Sequence, residues 1–209
     1  MLSRKTSLTC FLRSYLLGGA FTPQGMQSLG ITHALEPGLA EIYADPEDLL
    51  CARQRYIRHF NTHPFGAPFL LGLFLNLEQL IARGVLPAEA LSNIKDTAGY
   101  TLSAIGDSVF SGTLVPFWVL ASACLLLLCP PWGAALFTLC LFAAFQAFRL
   151  ASFYFALQHG LAALERLRNF NIINWCERLK YCNALLLAGL LWLTADLGHN
   201  NFVWEGFCV

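Results

Sequence analysis

The side chains best suited to chemistry in this sequence are Asn61, His63, Glu78, Asp107 and Ser108. They supply an amide, an imidazole, two carboxylates and a hydroxyl. Such groups recognise a polyol, because sugar hydroxyls both donate and accept hydrogen bonds. His59 and His63 stand four residues apart, a spacing that places two imidazoles on one helix face and suits zinc. However, Pro64 disfavours helical geometry at His63, and no third ligand accompanies the pair. The bland reading of His63 is a structural histidine at a helix break. Glu78 has two readings: a carboxylate paired with Arg83, or a polar group facing a solute route. Asp107 with Ser108 also has two: a polar contact for a sugar, or a loop whose acid caps the next helix. No P-loop, dinucleotide fingerprint or nucleophile elbow occurs. No catalytic residue, metal or cofactor is expected.

The elements carrying these residues are apolar. Of 209 residues, 56% are hydrophobic and only 12% charged, and mean hydropathy is +0.55. Thirteen basic and thirteen acidic residues cancel, which excludes a nucleic-acid footprint. A soluble domain carries about twice that charge, so the composition indicates a protein embedded in a lipid bilayer. The eight cysteines show no CxxC pair and no disulfide framework.

Lys and Arg are unevenly placed. None lies between Asp96 and Phe148, and none follows Lys180. Thr113 to Cys129 is uncharged and spans roughly 25 Å as a helix, near the ~30 Å hydrocarbon core. Pro130 and Pro131 end it, and a second stretch follows to Leu157, giving a helical hairpin over 113–157. A third, shorter apolar stretch is Asn183–Thr194. Arg149 is expected to snorkel to the interface at the end of the second span. By the positive-inside rule the N-terminus and residues 165–180 face the cytoplasm. Residues 1–20 read as an amphipathic surface helix with Phe11, Leu12, Tyr15 and Leu16 on one side, Arg13 arguing against a signal peptide. Residues 45–60 read as a cytoplasmic helix capped by Asp45, with Pro46 at its first position. The Pro- and Gly-broken run after residue 60 reads as a re-entrant segment or a core helix at an interface.

The expected fold is therefore all-α and integral to the membrane, with about three transmembrane helices, amphipathic surface helices and a re-entrant segment. It is read as one membrane domain over 1–209: N-terminal amphipathic helices to 60, a motif region over 61–112, the hairpin over 113–157, a cytoplasmic segment over 158–182, a third apolar helix over 183–197, and a tail over 198–209.

Two motifs carry a family likeness. FNTHP (60–64) and IGDSVFSGTLVP (105–116) resemble segments of the IID component of the mannose family of bacterial sugar phosphotransferase systems. FLRSYLLGGAF (11–21), GMQSLG (25–30) and FRLASFYFALQHG (148–160) are similar to flanking patterns of that family, so the match covers roughly residues 8 to 160 in order. The resemblance implies a permease subunit in the bacterial cytoplasmic membrane that forms a hexose channel with a IIC subunit. IIB would phosphorylate the sugar with phosphate relayed through IIA, and His63 would not be a phosphorylated nucleophile. Three departures stand out: TPQGMQ follows the GAF segment, Val115 replaces an arginine before Pro116, and Phe153 replaces a second arginine after Arg149. The chain also ends soon after its third apolar stretch. These departures support an alternative, a non-transporting assembly or regulatory subunit derived from the same family. A membrane metalloenzyme using His59 and His63 is a further, weaker alternative.

Overall fold

A computed structural model describes residues 2–169 and 172–199. The described residues are helical throughout, with no strand beyond two isolated bridges, Thr22 with Met26 and Met26 with Phe60. The chain falls into two compact units. One comprises Met1–Asp107 with Gln146–Asn171, the other Ser108–Phe145 with Ile172–Val209.

The first unit opens with α1 (Arg4–Arg13), capped by Ser3, whose Oγ accepts from the Thr6 amide at 3.1 Å. The chain then tightens into a 3₁₀ segment, Ser14–Ala20. With three residues per turn instead of 3.6, the expected apolar face is not kept intact. Phe11 turns into the core against Phe153, ring centroids 5.7 Å apart, while Leu12, Tyr15 and Leu16 stay outside. Helix α2 (Ser28–Ile42) packs on both segments and on α3 (Pro46–Ile57). As the sequence indicates, α3 starts at Asp45, whose Oδ2 accepts from the Asp48 amide at 3.3 Å, and Pro46 opens its first turn, where its missing amide has no role.

Helix α4 (Ala67–Ala82) is the centre of this unit. It is apolar on every side and buried nearly all round, as such a helix must be. Gly72 allows α4 to approach residues 146–159 of the helix Pro131–His159, since a Cβ there would strike the Phe153 carbonyl. One turn on, Asn76 Nδ2 donates to the Leu157 carbonyl at 2.8 Å.

Helix α5 (Ala88–Gly106) does not break at its glycines. It passes through a π-helical stretch, Asp107–Leu114, into α6 (Val115–Leu128), so that 88–128 is one 41-residue helix. A loop whose acid caps the next helix is one of the two sequence readings of this stretch. The wide turn instead retains helical direction, and side chains satisfy the backbone groups it loosens. Thr113 Oγ1 donates to the carbonyls of Ser108, at 3.3 Å, and Val109. Asn183 Nδ2 donates to the Thr113 carbonyl at 3.0 Å.

After Cys129 and Pro130 the chain enters α7 (Pro131–His159). Gly160, at φ +54°, ends it, and α8 (Leu161–Asn169) follows. Helix α9 (Ile172–His199) is longer than expected, joining the basic segment and the third apolar stretch in one helix that packs on α6. The helices 88–128 and 131–159 are long and apolar enough to cross a membrane. Their apolar faces are not a soluble core. Helix α6 has no buried residue, and Val119, Leu126, Leu136, Leu139 and Phe142 are exposed. So much uncovered apolar surface belongs against lipid or a partner.

Candidate functional site

Residues 60–64 run between α3 and α4, held by the chain near the first isolated bridge. The Phe60 amide donates to the Gly25 carbonyl at 3.2 Å, and the Gln27 amide donates to the Phe60 carbonyl at 2.8 Å. Gln27 Oε1 accepts from the Thr62 amide at 3.1 Å. Met26 between them has φ 54°, a left-handed conformation that side chains other than glycine seldom adopt. Pro64 then turns the chain, and the amides of Gly66 and Ala67 donate to the His63 carbonyl at 2.9 and 3.0 Å, starting α4.

Helix α5 closes over this segment through two glycines. Gly99 faces the Phe60 ring, and a Cβ at Gly106 would land inside the His63 imidazole. His63 is thereby buried beside the end of α5, in reach of the charge on Asp107. Burial lowers its pKa from 6.5, opposed in part by the Asp107 carboxylate. The Phe65 amide donates to His63 Nδ1 at 3.3 Å, which leaves the proton of the neutral ring on Nε2. Asn61 is half-buried, and Asp107 is exposed at the start of the π-helical stretch. Of the five residues singled out from sequence, the first unit thus brings Asn61, His63 and Asp107 into one neighbourhood. Ser108 is exposed and opens the second unit.

Glu78 lies elsewhere, one of the most enclosed groups in the protein at 0% exposure. Its partner is Arg55, not Arg83. Arg55 Nε and Nη2 reach the two carboxylate oxygens at 3.1 and 2.5 Å. Tyr56 Oη donates to Oε1 at 2.8 Å and Tyr43 Oη to Oε2 at 2.7 Å. Burial, and then the Glu78 carboxylate, push both phenols well above their usual pKa, so they remain protonated donors. Burial works against the Arg55 charge, but Glu78 outweighs it and raises the guanidinium pKa. Lys95 Nζ, also buried, donates to the Arg55 carbonyl at 3.0 Å. This network ties α3, α4 and α5 to the end of α2.

Arg149 does not snorkel. It is 7% exposed, its guanidinium 4.0 Å from the Tyr15 ring centroid and 5.7 Å from that of Phe65. The aromatic face takes the place of interfacial water. His59 is exposed and stacks on Tyr100 at 6.2 Å, and among the described residues no three potential metal ligands cluster. Gln27, Arg55 and Arg149 were legible in the sequence only as members of their motifs or helices, since each acts through a partner distant along the chain.

The contacts that organise the site, GMQ with FNTHP and FNTHP with the end of α5, join segments that also identify relatives. Residues 1–192 match the family described as EIID-AGA, the PTS system mannose/fructose/sorbose family IID component. The mannose-specific EIID component of Escherichia coli K12 is 33% identical over 154 residues, 72% of this chain and 52% of that protein. The fructose permease IID component of Bacillus subtilis 168 is 28% identical over 160 residues, 76% of this chain and 57% of that protein. The chain thus spans about half the length of these relatives. Among solved structures, the mannose transporter ManYZ in complex with microcin E492 is similar over 91% of this chain and 70% of the other, with TM-score 0.65 and 26% identity. A structure described as that of a membrane protein matches over 90% of this chain and 70% of its own, with TM-score 0.73 and 27% identity. A chain whose described residues are helical and whose family motifs lie in contact belongs to the IID components of the PTS mannose/fructose/sorbose family.

Proposed function

We propose that this chain is the IID half of a hexose permease, moving sugar across the bacterial cytoplasmic membrane together with a IIC subunit. IIB phosphorylates the arriving sugar, with phosphate relayed by IIA, and this chain performs no phosphoryl transfer. The chain crosses the membrane more than once with its N-terminus on the cytoplasmic side. The observation that carries the reading is the convergence of the Phe60–Pro64 segment, Gln27 and the Gly106–Asp107 turn on one buried imidazole. An imidazole, a side-chain amide and a carboxylate in one neighbourhood are the group types that bind sugar hydroxyls. Asn61, His63, Asp107 and Ser108 are the proposed contacts of the sugar path. Glu78, its carboxylate already bonded on both oxygens, serves by fixing α3 and α4 around that path. The test is sugar uptake by Asp107→Ala in cells carrying the whole system. Uptake falls while the membrane content of the protein is unchanged; unaltered uptake would remove Asp107 from the path.

A second reading, a non-transporting assembly or regulatory subunit, draws on Phe153. Where the family resemblance places an arginine, this chain has a fully buried ring packed on Phe11. Uptake that survives deletion of this chain would favour that reading.

A further inference from the structure

Among the described residues, Arg149 is a buried cation without an anion. Its Nε has no hydrogen-bond partner, and no described carboxylate bonds to the guanidinium. Its hydrogen bond to a described residue is long, from Nη2 to Ser14 Oγ at 3.5 Å. The Tyr15 ring roofs the guanidinium and is itself 46% exposed, tethered by a hydrogen bond from Oη to Gln146 Oε1 at 2.6 Å. A buried guanidinium left on aromatic faces alone retains its capacity for bidentate anion binding.

The depth of the residue indicates which anion. Arg149 stands eighteen residues after Pro131 on α7, roughly 27 Å along the axis, about the thickness of the hydrocarbon core. It therefore reaches the headgroup layer when the other end of the helix lies at the opposite surface. Tyr15 and Ser14 meet Arg149, and their chain neighbours Leu12 and Leu16 are exposed, as are Phe148 and Leu150, which precede and follow Arg149 in sequence. A cation at headgroup depth, bordered by exposed apolar side chains, matches the two ends of a lipid.

We propose that Arg149 anchors a binding site for the phosphate of an anionic membrane phospholipid, with Tyr15 as its movable roof. When Tyr15 turns outward, the phosphate takes its place on the guanidinium. Ser14 Oγ and Gln146 Nε2 are the neighbouring donors, and the acyl chains lie along Leu12, Leu16 and Phe148. The site adjoins the proposed sugar contact His63 through Phe65, whose ring centroid lies 5.7 Å from the guanidinium and whose amide donates to His63 Nδ1, and it ties the N-terminal segments to α7 through a lipid.

The test is native mass spectrometry on the full chain in mild detergent, titrated with phosphatidylglycerol, with phosphatidylcholine, and separately with glycerol 3-phosphate. The wild type retains phosphatidylglycerol in preference to phosphatidylcholine. Arg149→Gln weakens that binding by roughly tenfold or more, the scale of a lost hydrogen bond to a charged group. Arg149→Lys falls between, because it keeps the charge and loses the fork. Tyr15→Ala, which leaves the cation in place, binds at least as tightly as wild type, and this variant decides the matter if Arg149→Gln does not elute as a folded protein. Equal retention by wild type and Arg149→Gln overturns the proposal, as does loss of binding in Tyr15→Ala. Glycerol 3-phosphate binding as tightly as the lipid would assign the site to a soluble phosphate instead. Loss of a co-purified IIC-type subunit with lipid retained would make Arg149 a protein contact and overturn the lipid assignment.

Discussion

At His63 the decisive quantity is burial. Its pKa is lowered in the fold, so the folded protein binds fewer protons than the unfolded chain at mildly acidic pH. The stabilising contribution of the neutral ring is complete above the ordinary value of 6.5 and is lost as pH falls from there through the folded value. Thermal unfolding of the detergent-purified protein should therefore show a midpoint that drops below pH 6.5, and His63→Gln should remove that part of the slope. An identical slope in the variant would assign the dependence to other groups. Glu78 makes a different demand. Removing it leaves a half-buried Arg55 beside two buried phenols with no counter-charge. Glu78→Ala is expected to cost about 3–5 kcal/mol, seen as a lower midpoint, with partial recovery in Glu78→Ala/Arg55→Met. The sequence correctly marks Glu78 as unusual but cannot name its partner. Arg83 is close along the chain, yet five residues is a poor helical spacing, whereas the fold carries Arg55 to it from another helix.

Local chemistry makes some elements legible and tertiary packing hides others. The start of α3 is readable because an acid cap and a proline act within one turn. The break between α6 and α7 is readable because Pro130 and Pro131 cannot continue a helix. The stretch from Asp107 to Leu114, for which a capping loop is one of two sequence readings, is a π-helical turn. Its one glycine, Gly112, is compatible with that wide turn once Thr113 and Asn183 satisfy the backbone, and Asn183 comes from α9. Asn183→Leu should consequently loosen α9 from α6, by about 0.6–2 kcal/mol, and raise hydrogen exchange in residues 108–116; unchanged exchange would show the bond to be dispensable. The packing of α4 on the 146–159 part of α7 was likewise hidden, because it depends on a missing side chain. Gly72→Val should lower the unfolding midpoint, since its branches meet the Phe153 carbonyl and the Leu157 amide. A midpoint equal to wild type would mean that these helices part more easily than the close approach implies.

For the whole molecule, the absence of charge and the exposure of α6 and α7 point the same way. Apolar residues distributed without a buried face are unstable in water and stable against hydrocarbon or another apolar surface. Composition foretold this environment, and the motif order foretold the family, because both are properties of the chain itself. How many partners cover the exposed helices is not written in one chain. The central claim, that the chain is one half of a two-subunit permease, is tested most directly by co-expressing it with a IIC-type subunit of the same system and extracting both in mild detergent. The account predicts that the two purify together in a fixed ratio through affinity and size-exclusion steps. A folded chain that elutes alone, with IIC recovered separately, would contradict it.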